Sequence, residues 1–121
     1  MLECTMAEIT IITDKIKLAD LHENAKNMFG GLVKAVVDIE QGKMAVFGEL
    51  HSDEESVLLE NGSKQANLWG INIYPDQPDD KMIEFDSMIN LRPSQGNMSR
   101  SVDDLKTQKK IIATVKKLIQ K

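Results

Sequence analysis

The stretch from Leu32 to Leu50 constrains this chain most. Val33, Ala35, Val37 and Ile39 recur at every second position, and Met44, Val46, Gly48 and Leu50 do the same after Gln41-Gly42. A period of two is that of a strand with one buried face, and a Gly-containing pair between two such runs reads as a β-hairpin turn. With a two-residue turn, Glu40 faces Lys43 and every other pairing follows. The two apolar sets then share a face. On the other face Lys34 meets Glu49, Asp38 meets Ala45 and Val36 meets Phe47, so hydrophobic matching and two opposite-charge pairs support one register.

Other elements fall around this hairpin. Residues 8–12 (Glu-Ile-Thr-Ile-Ile) read as a first strand. Thr13 or Asp14 caps a helix to about Phe29, with Leu18, Leu21, Ala25 and Met28 on one face and Gly30-Gly31 as its left-handed stop. Ser52-Asp53-Glu54-Glu55 has the spacing of a capping box for a short helix through Val57, Leu58 and Leu59, ended by Gly62. Leu68 to Tyr74 is a strand, Pro75 to Lys81 a polar loop, and Met82 to Leu91 a returning strand. If Tyr74 lies opposite Met82, then Ile73 meets Ile83, Ile71 meets Phe85 and Trp69 meets Ser87. A last helix starts after Ser101, with Asp103 and Asp104 in its first turn. It buries Leu105, Ile111, Ile112, Val115, Leu118 and Ile119. The order β-α-β-β-α-β-β-α predicts an α+β domain spanning 1–121, with a mainly antiparallel sheet of about five strands and three helices on its apolar face.

Bulk properties narrow the classes. A chain of 121 residues can bury enough surface to fold without disulfides or metal. Its one cysteine, Cys4, has no internal partner, which fits a reducing cytoplasm. No basic segment followed by an apolar one opens the chain, so no signal peptide is expected, and no apolar run approaches a membrane span. Without secretion, the sequons at Asn61 and Asn97 carry no meaning. Charge is split: residues 1–91 hold 7 Lys against 17 Asp and Glu, a balance of −10, and residues 92–121 hold 8 basic residues against 2 acidic, a balance of +6. A solvated helix face or docking onto an acidic body explains this more simply than a nucleic-acid surface. Lys106, Lys109, Lys110, Lys116 and Lys117 are therefore expected in solvent.

Chemistry concentrates between Glu84 and Arg100. In the register above, Asn72, Glu84 and Asp86 share a polar sheet face, continued by Asn90 and Arg92. A loop then adds Asn97, Ser99 and Arg100. Gly70 opposite Asp86 would leave open space over that carboxylate, as a strand glycine often marks close approach of a ligand or another backbone. Asp86, Arg92, Asn97 and Arg100 are expected on one concavity, with Gly96 and two guanidiniums suited to a phosphate or carboxylate. The plainer account of these residues is a solvated sheet face and a structural loop capped by Ser101. Glu49 to Glu55 with His51 suggests an oxygen-and-imidazole metal set, but Glu49 has Lys34 opposite and Asp53 to Glu55 suit a helix start. His51 is the exception, since it can lean toward Asp86. His22 reads as a surface residue. No Walker loop, nucleophile motif or RNA-binding signature occurs.

Four runs carry a resemblance: Met28 to Asp38 (MFGGLVKAVVD), Gly48 to Glu55 (GELHSDEE), Leu68 to Pro75 (LWGINIYP) and Glu84 to Pro93 (EFDSMINLRP). Together they resemble a small prokaryotic family of conserved hypothetical proteins, a domain of unknown function, which brings no activity, cofactor or partner with it. Two hypotheses follow from the residues. One is a non-catalytic intracellular binding or interaction module for a small anionic ligand or a protein partner, a second copy of the chain included. It needs no cofactor and involves neither nucleic acid nor membrane. The other is a metal-assisted phosphoester hydrolase, with Glu84, Asp86, His51 and Glu49 near a divalent ion and Arg92 or Arg100 on phosphate.

Overall fold

The hairpin is the centre of the molecule. A computed structural model describes residues 9–26 and 30–121. Strands β1 (Thr10–Ile12), β3 (Val33–Asp38), β4 (Lys43–Val46), β5 (Leu68–Ile73) and β6 (Ile83–Glu84) form one antiparallel sheet in the order β1-β4-β3-β5-β6. Strand β2 (Ile16–Lys17) pairs in parallel with β7 (Ile119–Gln120) in a separate two-stranded sheet. Helices α1 (Leu18–Lys26), α2 (His51–Glu60) and α3 (Leu105–Leu118) complete the α+β fold. Among the described residues, no helix is long and apolar enough to cross a membrane.

The expected face assignment holds although the hairpin register is shifted. Asp38, not Glu40, pairs with Lys43, and Val36 meets Ala45 rather than Phe47. The cause is Asp38 itself. Its buried carboxylate accepts the backbone N–H groups of Glu40 and Gln41 through Oδ1 (2.9 Å each) and the Ser63 hydroxyl through Oδ2 (2.7 Å). Its carbonyl accepts from Gly42 N, and Gly42 takes φ +68°. These bonds stabilise a longer loop in place of the tight turn. A two-residue shift preserves side-chain parity, so the apolar residues within the paired strands keep their faces, whereas Phe47, beyond the pairing, packs against the Val46 side and not the Val36 side. It does remove the expected pairing of Lys34 with Glu49.

Strand β4 stops at Val46 because Phe47 adopts φ +74°, a left-handed conformation that costs a non-glycine residue about 1 kcal/mol or more. The chain turns there, so Leu50 leaves the core and stands 56% exposed. Helix α2 follows without the expected capping box: Leu50 occupies the cap position and no side chain caps it. Glu54 points inward instead, and its Oε2 accepts from Gly48 N at 3.0 Å. Gly48 must be glycine here, since a Cβ would lie 2.7 Å from Glu54 Cγ.

Three further boundaries differ. Helix α1 begins at Leu18 rather than at Thr13 or Asp14, because Ile16 and Lys17 stay extended to pair with Ile119 and Gln120; Met28 and Phe29 lie outside the described residues. Strand β6 is only two residues long, although its register (Asn72 with Glu84, Ile73 with Ile83) is the expected one. From Phe85 the chain leaves the ladder and forms a 3-10 turn at Met88–Asn90, where Ser87 Oγ accepts from Ile89 N. Helix α3 is capped by Asp104, whose side chain accepts from Thr107 N, so Asp103 and Asp104 precede the helix and Leu105 is exposed.

Both sheet faces are covered, not one. Val33, Ala35, Val37, Met44, Val46, Trp69, Ile71 and Ile73 pack against Leu21 and Ala25 of α1 and Ile111, Val115 and Leu118 of α3, with Ile83 and Phe85 beside them. On the opposite face Val36, Ala45 and Leu68 meet Leu58 of α2, flanked by Ile9, Ile11 and Ile89. The lysines at 106, 109, 110, 116 and 117 are exposed, as their spacing around the buried stripe requires.

Candidate functional site

The second face is closed by polar groups, and they decide where a cleft remains. Where β6 ends, the Asn90 side chain takes over the edge of β5: its Oδ1 accepts from Gly70 N (2.8 Å) and its Nδ2 donates to Gly70 O (2.9 Å). A side-chain amide thus replaces a strand residue. Nδ2 also donates to Arg100 O at 2.9 Å, which ties the 97–101 loop to the sheet. Asn97 is buried, donating from Nδ2 to Asn90 O and Ser101 O and accepting from Asp103 N through Oδ1. Gly70 has no open space above it. A Cβ there would lie 2.6 Å from Ser87 Cβ and 3.1 Å from Ile89 Cγ1, so the glycine admits the protein's own chain.

Beside this knot lies a cleft of about 350 Å³, lined by Lys34, Leu50, His51, Ser52, Asn72, Asp86, Ser87, Met88, Ile89 and Arg100. Lys34 and Asn72 are register partners on β3 and β5 and supply the floor. The start of α2 brings Leu50, His51 and Ser52, and the segment after β6 forms the facing wall. Arg100 Nε donates to Asp86 Oδ1 at 2.8 Å in a half-exposed ion pair. Lys34 Nζ has no hydrogen-bond or ion-pair partner among the described residues.

His51 is held in one tautomer. Its Nε2 lies 2.7 Å from Ile71 O, a pure acceptor, so Nε2 carries the proton and Nδ1 is the nitrogen left free. Burial holds its pKa below the ordinary 6.5; the bond to Ile71 O and the Asp86 charge oppose this, and Lys34 and Arg100 add to it. At neutral pH the imidazole is therefore uncharged, with Nδ1 as an acceptor. Glu54, one helical turn on from His51, has its pKa raised well above the ordinary 4.5 by burial, opposed by the Gly48 N–H and by Lys34.

Of the eight residues expected at a site, Asn72, Asp86 and Arg100 line this cleft. Glu84 is on its edge, accepting from Asn72 Nδ2 (2.9 Å) and Tyr74 OH (3.0 Å). Asn90 and Asn97 form the knot beneath. Ser99 donates to Asp103 at 2.6 Å. Arg92 points away from the cleft: it stacks 4.2 Å from the centre of the Trp69 ring and donates to the carbonyls of Gln65 and Leu68. Asp86 and Arg100 thus share a concavity that Arg92, Asn97 and Ser99 do not reach. Among the described residues, no group of three or more His, Cys, Asp or Glu side chains is placed to hold a metal ion. The set of His51, Glu49, Glu84 and Asp86 is therefore not assembled as ligands. A smaller concavity of about 270 Å³ between Met82, Ile83, Val115 and Ile119 is bordered by the Asp79–Lys121 ion pair.

Residues 10–118 match a protein family described as of unknown function, DUF5674. The chain belongs to that family. No curated protein and no solved structure matches it, so any functional reading rests on the cleft.

Sequence reasoning overlooked Lys34, Ser52 and Leu50 because each had a plausible structural duty: an ion pair, a cap and a core position. The usable signal was Asp38, an acid two and three residues before Glu40 and Gln41, where its carboxylate can hold both amides and lengthen the loop.

Proposed function

We propose that this protein is a non-catalytic binding domain whose cleft takes a small anionic ligand. The observation that carries this is the placement of Lys34, an ammonium without an ion-pair partner among the described residues, in a concavity shared with the Arg100 guanidinium. A cation in a partly desolvated cleft attracts an anion more strongly than one on an open surface. Arg100 is already oriented by Asp86, and its terminal nitrogens have no hydrogen-bond partner among the described residues. The concavity favours a small ligand over a flat protein partner, and its size is at the lower end of small-molecule sites. We also place the protein in the cytoplasm, supported by its lone cysteine, and read residues 1–121 as one domain, supported by the five-stranded sheet at the centre of the described residues.

The test is calorimetric titration of the full chain with phosphate and with small mono- and dicarboxylates. Lys34→Ala and Arg100→Ala should each weaken binding by roughly tenfold or more, with melting temperature nearly unchanged. Anion binding that is indifferent to both substitutions would remove the cleft as the site.

A further inference from the structure

The cleft presents more than positive charge. His51 Nδ1 has no hydrogen-bond partner among the described residues, and the bond from Nε2 to Ile71 O keeps the free lone pair on Nδ1. Asp86 commits Oδ1 to Arg100 Nε and leaves Oδ2 without a bond among the described residues. His51 and Asp86, which carry these acceptors, therefore line the same concavity as two cationic donors, Lys34 and Arg100. A third feature is apolar: Leu50 and Met88 line the cleft while 56% and 62% exposed, and Ile89 lies beside them.

A simple oxyanion with no hydrogen to give would satisfy the cations alone. It would strip water from His51 Nδ1 and Asp86 Oδ2 without replacing the lost hydrogen bonds, which is unfavourable. A ligand that uses all three features has a carboxylate for Lys34 and Arg100, a donor close to it for His51 and Asp86, and a short apolar tail for Leu50 and Met88. We propose that the cleft selects small α-amino or α-hydroxy acids with an apolar side chain, a specificity that rests on the anion-binding reading above. The donor is the shared chemistry, and it can be an ammonium or a hydroxyl.

The experiment compares, by calorimetry on the full chain, leucine, 2-hydroxy-4-methylpentanoate, 4-methylpentanoate and isopentylamine. Leucine or the hydroxy acid should bind roughly tenfold or more tightly than 4-methylpentanoate, which lacks the donor. Isopentylamine, lacking the carboxylate, should bind most weakly. Preference for leucine identifies an ammonium, and preference for the hydroxy acid a hydroxyl; either supports the proposal. Asp86→Asn should shrink the preference over 4-methylpentanoate. If all three acids bind alike and Lys34→Ala weakens them alike, donor selection is overturned while the anion site stands. If neither the acids nor phosphate bind at millimolar concentration, both readings fall.

Discussion

The two faces of the sheet are built by different physics. On the α1/α3 side, Leu21, Met44, Ile71, Ile73, Ile111 and Leu118 are fully buried and meet other apolar side chains. Each contributes about 1.5–3 kcal/mol through area removed from water, with little demand on direction. On the α2 side the described residues give a smaller such cluster, Val36, Ala45, Leu58 and Leu68. The rest of that face is closed by directional bonds from Asn90, Asn97 and Asn72 to the backbone. An apolar face closes completely because any shape-compatible contact helps it. A hydrogen-bonded face closes only where donors and acceptors coincide, and the cleft occupies the remainder.

Substitutions can break this contrast, beginning with the apolar side. Leu118→Ala should cost about 3–5 kcal/mol in urea unfolding, because the cavity opens among fully buried neighbours. A loss below about 1 kcal/mol would mean that α3 is not a principal source of stability.

On the polar side, Asn90→Ala should cost about 2–4 kcal/mol, since it strands Gly70 N, Gly70 O and Arg100 O together. Hydrogen exchange at Gly70 and in the 85–100 segment should quicken far more than in α3. Uniform quickening would show that the two faces unfold as one unit.

Glu54→Gln sharpens the comparison through pH. A carboxyl whose folded pKa is raised contributes stability that is fully present below its unfolded value of about 4.5. That contribution is lost as pH rises through the higher folded value, where the unfolded chain sheds a proton the native state retains. The glutamine variant should therefore gain stability relative to the parent as pH increases from about 4.5 upward, read in melting curves across that range. His51 acts in the other direction: its lowered pKa gives stability that is present above 6.5 and lost as pH falls through the folded value. A parent and a variant with parallel curves would refute the buried-acid account.

The smallest effect belongs to the cleft itself. Lys34→Ala should change stability by no more than about 0.5 kcal/mol, because no hydrogen-bond or ion-pair partner among the described residues is lost. A larger loss would make Lys34 a structural member of the polar face and not a group held ready for a ligand.

Legibility in the sequence follows the same division. The Val33–Val37 alternation and the Ile111–Val115–Leu118 spacing marked the apolar face directly, because burial there depends only on which side of an element a residue occupies. The short β6 and the role of Asn90 were not legible. Nothing local in Glu84 to Leu91 says that a side-chain amide will replace the strand against Gly70, and Gly70 itself suggested space when it marks contact. Arg92 looked like a partner for an anion, but Trp69 and two carbonyls, distant in sequence, claim it.

By itself the sequence determined the period of each main element, the parity of the central hairpin and the α+β class, since these depend on local periodicity and on which side chains avoid water. Tertiary structure alone decided the hairpin's exact register, the inward turn of Glu54, the release of Lys34 from Glu49 and the meeting of Lys34 with His51 and Arg100. Those outcomes depend on hydrogen bonds between groups far apart in the chain. The energy of such a bond depends on distance and angle, which the order of residues does not contain until the fold sets them.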